Sequence, residues 1–113
     1  QVFLNLMLNS IDAISELKTE TPDMDGFIKV NLIDDRKKLK IVIEDNGIGI
    51  EKDIISKIYD PFFTTKDVGK GSGLGLYVSY HIIQDHGGTI RCESKPKEST
   101  KFIVQISKKN GKF

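Results

Sequence analysis

Two glycine-rich segments hold the residues of this 113-residue chain best suited to chemistry. Asp45-Asn46-Gly47-Ile48-Gly49 follows an alternating apolar stretch. A carboxylate therefore stands at a strand end, beside a turn whose glycines let another group approach the backbone closely. Gly71-Ser72-Gly73-Leu74-Gly75-Leu76 leads straight into a predicted helix. Free backbone amides and the positive end of a helix dipole coincide there, an arrangement that binds phosphate. Taken singly, each segment also reads as a plain turn. Neither is a standard nucleotide loop. Gly69-Lys70 is followed by Gly71 where a P-loop needs Ser or Thr, and Gly71-x-Gly73 lacks the third glycine of the dinucleotide fingerprint. A nucleotide bound here requires a different architecture.

A third feature lies near the start of the chain. From Val2 to Leu17 the sequence is apolar in nearly every direction around a helix, apart from a stripe of Asn5, Asn9, Asp12 and Glu16 at helical spacing. An unpaired amide costs about 1–3 kcal/mol on burial, so Asn5 and Asn9 must meet solvent, a hydrogen-bonded network or a ligand. Taken alone, the stripe reads first as an ordinary solvated face, since polar stripes are what surface helices show. Gln1-Val2-Phe3-Leu4 opens on the apolar pattern with no capping residue before it, as a trimmed fragment would.

The elements that position these residues alternate along the chain. Residues 21–26 form a loop, and Ile28, Val30 and Leu32 alternate with polar partners as in a half-buried strand. After a turn at residues 34–38, Leu39, Ile41 and Ile43 alternate likewise, giving an antiparallel hairpin over residues 27–45 with one face on a core. A short helix over residues 51–59 is predicted to bury Ile54, Ile55 and Ile58 and to stop at Pro61. A second long helix runs from Leu74 to His86 and ends in a left-handed stop at Gly87-Gly88. Two strands close the chain. Ile90, Cys92 and Ser94 share a face of the first and Phe102, Val104 and Ile106 a face of the second, with a turn at 96–99 and a frayed basic tail from Lys108. The class is α+β, a two-layer sandwich whose sheet carries helices on one face.

Composition narrows the functions. One compact domain accounts for the length, and 38% hydrophobic with 29% charged residues excludes disordered and fibrous chains. The net charge of +1 offers no basic field for nucleic acid or anionic membrane. The single cysteine, Cys92, forms no internal disulfide or metal cage and suits a reducing, cytoplasmic setting.

In their order, the motifs resemble the ATP-binding catalytic domain of sensor histidine kinases, part of a wider family with gyrase-type and chaperone ATPases. QVFLNLMLNSIDAI, residues 1–14, looks like the N box and residues 45–49 like the first glycine box. Asp60 to Lys66, DPFFTTK, resembles the F box and Gly71 to Leu76 the GxGLGL box. His86-Gly87-Gly88 is similar to the later glycine turn and Thr100-Lys101-Phe102 to the closing Thr-x-Phe element. The NtrB-like branch, with a short lid, looks most similar. The resemblance implies a Bergerat-type fold with a mixed, mostly antiparallel sheet. It also implies that a strand and the helix start precede Gln1, so the sheet could be completed by another chain or a second copy.

Carried over by position, the resemblance implies that Asn9 ligates Mg²⁺ through its amide oxygen, and that Asn5, one turn away, is the catalytic residue supporting the phosphates. Asp45 accepts a hydrogen bond from the exocyclic amine of adenine, with Gly47, Gly49 and Ile50 lining the purine. Backbone amides of Gly71, Ser72, Gly73, Leu74, Gly75 and Leu76 meet the phosphates, Lys66 adds a mobile positive charge, and Thr100 reaches adenine directly or through a water. Phe62 and Phe63 read as an aromatic pair of which one packs on the core and Phe63 borders the nucleotide. Ser99 stands where the family commonly has glycine, and Asp12 could face ribose, metal or solvent.

The implied reaction transfers the γ-phosphoryl group of ATP to a histidine on a separate dimerisation domain, for relay to a response regulator receiver domain. Hydrolytic relatives place glutamate at the Asn5 position, and an amide is a poor general base, so hydrolysis should be slow. His81, followed by Ile82, lacks the acidic neighbour of an acceptor histidine and reads as a packing or surface residue, and His86 as a partner of the helix C-terminal dipole. A hydrolytic ATPase, an anti-sigma-type serine kinase and a non-catalytic nucleotide-binding module are the alternatives. The parent protein could be membrane-anchored.

Overall fold

The computed structural model describes residues 1–63 and 75–107. Lys66, Gly71, Ser72, Gly73, Leu74 and the tail from Lys108 lie outside the described residues. The element order is α1 (Val2–Glu20), β1 (Ile28–Asp35), β2 (Lys38–Asp45), a 3₁₀ turn (Ile55–Lys57), α2 (Gly75–Asp85), β3 (Thr89–Lys95) and β4 (Ser99–Ser107).

The strands form one sheet in the order β1-β2-β4-β3, and all three pairings are antiparallel. α1 packs on β2, α2 packs on β3, and the helices pack on each other. Every helix contact falls on one face of the sheet, because the register places Ile41 and Ile43 of β2 beside Val104 and Phe102 of β4, and those beside Ile90 and Cys92 of β3. Val2 and Leu6 from α1, Ile83 from α2 and Ile58 from the 3₁₀ region complete this core. At about 25 cal/mol per Å² of apolar surface buried, such a cluster drives folding far more than the propensity of either helix.

The opposite face of the sheet is laced with charge. One row across the four strands reads Lys29, Glu44, Lys101, Glu93, alternating in sign. Opposite charges on neighbouring strands each contribute about 0.2–1 kcal/mol, which suits this face to water.

Two elements differ from the sequence reading. Only Ile55–Lys57 is helical in the 51–59 segment, and it is 3₁₀. Its hydrogen bonds run mostly over three residues: Ile54 N–H to Glu51 O (2.9 Å), Lys57 N–H to Ile54 O (2.8 Å) and Asp60 N–H to Lys57 O (3.0 Å). Between a loop and Pro61 there is room for little more than one turn, too little to offset helix nucleation, and the adjacent β-branched isoleucines disfavour propagation. Ile58 is nevertheless buried, and Ile54 packs against the core. The second difference is in β1. Its residues Val30 and Leu32 point to the core side of the sheet yet are 53% and 65% exposed. Alternation set their face correctly, but the helices lie over β2, β4 and β3 and leave β1 largely uncovered.

The helix stop at the end of α2 is as predicted. Gly87 takes a positive φ of 72°, and the Gly88 N–H returns to the Ile83 carbonyl at 2.9 Å.

Candidate nucleotide site

A cleft of about 540 Å³ opens between α1, the 48–51 loop, the start of α2 and the β3–β4 turn. Asp45 and Thr100 form part of its floor, side by side on β2 and β4 and only 1% and 3% exposed. Asn9 and Asp12 line the wall contributed by α1, and Ile50, Ile54, Phe63, Leu76 and Phe102 supply apolar surface. A cleft with apolar lining and a buried carboxylate on its floor is suited to a heteroaromatic ring with an exocyclic donor.

Asp45 is held by the turn that follows it. One carboxylate oxygen accepts the Gly47 N–H at 2.8 Å. Burial pushes its carboxyl above the ordinary carboxylate range; the Gly47 N–H and then the Ser10 hydroxyl oppose that rise, and neighbouring Glu44 adds to it. Thr100 is in turn tied to β3, its Oγ1 lying 2.9 Å from Ser94 Oγ. Ser94 Oγ donates to the Ser99 carbonyl (2.7 Å) and accepts the Ile50 N–H (2.8 Å). Ser94 thus fixes both the Thr100 strand and the backbone of the cleft residue Ile50.

The glycine loop after Asp45 is shaped by contact as well as by conformation. Gly49 has φ of 76°, and a Cβ there would run into the Lys95 carbonyl oxygen and lie 2.8 Å from Pro96 Cα. Gly49 lines the cleft, but Gly47 does not. A Cβ on Gly47 would meet the Ala13 backbone at 2.5 Å, so this glycine lets the loop lie against α1, where the Ile48 N–H bonds the Ala13 carbonyl at 2.9 Å. From the other side the Lys97 N–H donates to the Ile48 carbonyl at 2.5 Å, with Lys97 in a left-handed conformation.

The two α1 amides have different surroundings. Asn5 Nδ2 donates to the Gly75 carbonyl and to Ser79 Oγ, both at 3.3 Å, so Asn5 ties α1 to the first turn of α2 while still bordering the cleft. Asn9 lines the cleft, half-buried. Of the remaining described candidates, Gly75, Leu76 and Phe63 also line it. Phe63 packs on the core, whereas Phe62 is 70% exposed with a positive φ of 66°.

A family model described as "Histidine kinase-, DNA gyrase B-, and HSP90-like ATPase" matches residues 1–110. The chain belongs to this family. Among curated relatives, sporulation kinase A of Bacillus subtilis (strain 168) is 35% identical over 109 residues, covering 96% of this chain and 16% of that protein. The sensory histidine kinase/phosphatase NtrB of Rhizobium leguminosarum bv. phaseoli is 36% identical over 119 residues, covering 97% of this chain and 30% of its own length. The nucleotide-free catalytic domain of histidine kinase ThkA superposes with a TM-score of 0.75 at 35% identity, over 95% of this chain and 65% of that one. The chain is a histidine-kinase-type ATPase catalytic domain, and it spans less than a third of these curated relatives.

Sequence reasoning missed four features of this ATPase domain. Asn46 is a clamp: its Oδ1 accepts the Phe27 N–H (2.8 Å) and its Nδ2 donates to the Asp25 carbonyl (2.7 Å), fixing the entry to β1. Lys97 and Ser94 brace the cleft from β3 and its turn, although nothing local in the sequence marks them. Ser10, beside Asn9, is 1% exposed. Its place at helical spacing from Leu6 was the available signal.

Proposed function

We propose that residues 1–113 form the ATP-binding catalytic domain of a two-component sensor histidine kinase. In this reading the domain transfers the γ-phosphoryl group of ATP to a histidine on a separate dimerisation domain, for relay to a response regulator receiver domain. The observation that carries it is the buried Asp45 carboxylate beside Thr100 at the bottom of an apolar cleft whose wall bears Asn5 and Asn9. Adenine presents an amine donor to Asp45 where guanine presents a carbonyl, so the site selects ATP over GTP. Ile50 and Gly49 border the base and Phe63 closes one side.

The cation that accompanies the phosphates fits the donor set. Among the described residues there is no cluster of three or more His, Cys, Asp or Glu side chains able to cage a metal. An amide oxygen such as that of Asn9, combined with water and phosphate oxygens, suits Mg²⁺. When bound, Mg²⁺ neutralises charge on the phosphates. Asn5 keeps the start of α2 against α1 and so fixes where the amides of Gly75 and Leu76 stand. The preceding amides of Gly71, Ser72, Gly73 and Leu74, together with Lys66, complete the phosphate contacts. Because an amide cannot take a proton from water, Asn5 favours transfer to a supplied acceptor over hydrolysis. Such a domain works on the cytoplasmic side, where ATP is available and a lone thiol stays reduced.

The test supplies the purified domain with [γ-³²P]ATP, Mg²⁺ and a dimerisation domain from an NtrB-like kinase. Label on the acceptor histidine supports the reading; phosphate release without transfer overturns it in favour of a hydrolytic ATPase.

A further inference from the structure

Three polar side chains stand in one row at the end of the sheet. Asp45 of β2 is the register partner of Thr100 of β4, and Thr100 is that of Ser94 of β3. Asp45 and Thr100 line the nucleotide cleft, whereas Ser94 does not. The bonds of Ser94 use up everything its hydroxyl can make, which is one proton to give and two lone pairs to fill. A carbonyl oxygen can only accept, so the proton goes to the Ser99 carbonyl at 2.7 Å. The Ile50 N–H, 2.8 Å away, fills one lone pair. Thr100 Oγ1 lies 2.9 Å from the same oxygen and, with no proton left on Ser94 to receive, donates its own. Reversing that last bond would leave Ser94 Oγ and the Ser99 carbonyl oxygen 2.7 Å apart with no hydrogen between them.

We propose that Ser94 is a positioning residue for base recognition: by taking the Thr100 proton it leaves the Thr100 hydroxyl only lone pairs to offer the cleft, so that Asp45 and Thr100 form a pair of acceptors for the hydrogens of an exocyclic amine. The inference rests on the nucleotide reading above and deepens it. An ionised carboxylate is an acceptor by nature. A threonine hydroxyl is not. Free to rotate, it would turn its hydrogen toward an oxo group as readily as a lone pair toward an amine, and would weaken the choice between two purines that differ there. Committed to Ser94, it cannot follow the ligand. An oxo group in place of the amine then meets two acceptors and no donor, and a buried polar group left without a partner is what makes such sites selective.

Calorimetric titrations of the purified domain with ADP and with inosine diphosphate, in which an oxo group replaces the amine, test this. The readout is the ratio of the two affinities. A merely structural serine would leave that ratio in place, because loss of a brace weakens both nucleotides alike. In Ser94→Ala the Thr100 proton is released, and the preference for ADP should fall about tenfold, the factor that one hydrogen bond represents. In the Thr100→Val background, which has no hydroxyl to release, adding Ser94→Ala should leave the preference where Thr100→Val alone sets it. An unchanged ratio in Ser94→Ala, or an equal fall in the Thr100→Val background, overturns this inference alone, as does a parent that binds ADP and inosine diphosphate alike. Failure of the parent chain to bind ADP overturns the nucleotide reading and this inference together. If circular dichroism shows Ser94→Ala unfolded, Ser94→Cys, similar in size but with a thiol that accepts hydrogen bonds only weakly, carries the same measurements.

Discussion

Asp45 and Thr100 are register partners across β2 and β4, and each is almost wholly buried at the bottom of the cleft. A carboxylate and a hydroxyl on the core-facing side of a sheet, level with Phe102 and Ile43, lower the stability of the empty domain.

Asp45→Asn should therefore separate stability from binding. The folded pKa of Asp45 lies above its ordinary value of 3.8, so its contribution to stability is fully present below that value and is lost as pH rises through the folded pKa. At pH 7 the asparagine variant, with no charge to bury, should unfold at a higher temperature than the parent. Its ADP affinity should fall about tenfold or more, because the amide no longer offers the carboxylate acceptor. Calorimetric melts and titrations on one sample check both halves.

The same shift gives binding a pH dependence. Adenine recognition needs the ionised carboxylate, so affinity should weaken as pH is lowered through the folded pKa. Burial has raised that pKa, and the loss should begin at higher pH than an ordinary aspartate would impose. Titrations with ADP from pH 8 downward should show this fall in the parent and a flatter profile in Asp45→Asn.

Asn5→Ala should act on transfer more than on binding. Removing the side chain cuts the links to the Gly75 carbonyl and Ser79 Oγ that hold the two helices together beside the phosphates. Loss of two bonds at 3.3 Å should destabilise the domain by about 1 kcal/mol. Phosphotransfer to a supplied acceptor should fall about a hundredfold, as expected when groups meeting developing charge are displaced, with ADP affinity changed less than about threefold.

Cys92 should be chemically quiet. Burial, with Asp45 and Glu93 adding to it, pushes its thiol up to about 12. At pH 8 almost no thiolate is present, so alkylation by iodoacetamide should be slow in the folded domain and rapid in guanidinium. Mass spectrometry over a time course measures the ratio.

Much of this site was legible because its determinants are local. Asp45 announces itself as a carboxylate between an alternating strand and two glycines, and Gly87 as the residue after a helical pattern. Thr100 was singled out through the order of motifs, and the register sets it opposite Asp45, a pairing that the motifs alone did not give. What escaped were relations between distant segments. Gly47 lets its loop lie against α1, at Ala13, a contact that nothing local in the sequence announces. Ser94 and Lys97 hold the cleft through bonds to Ile50 and Ile48 that span more than forty residues. Val30 and Leu32 show the complementary limit: periodicity assigns a face, but only tertiary packing decides whether anything covers it.

Gly49 and Gly87 test whether surroundings or backbone angle sets the cost of a side chain. Their φ values are nearly equal, 76° and 72°. A left-handed conformation costs a non-glycine residue about 1–2 kcal/mol, and Gly87→Ala, with no atom within 4 Å of the new Cβ, should lose only that. At Gly49 the Cβ collides with the Lys95 carbonyl and approaches Pro96 Cα, both backbone groups that cannot rotate away. Gly49→Ala should lose about 3 kcal/mol or more, since the β3–β4 turn must move as well. That turn also anchors Ile48 through the Lys97 N–H, so ADP affinity should fall with it. Urea unfolding of the two variants side by side gives the comparison. Equal losses would show that the turn yields freely, and that the cleft is not braced by its contact with the glycine loop.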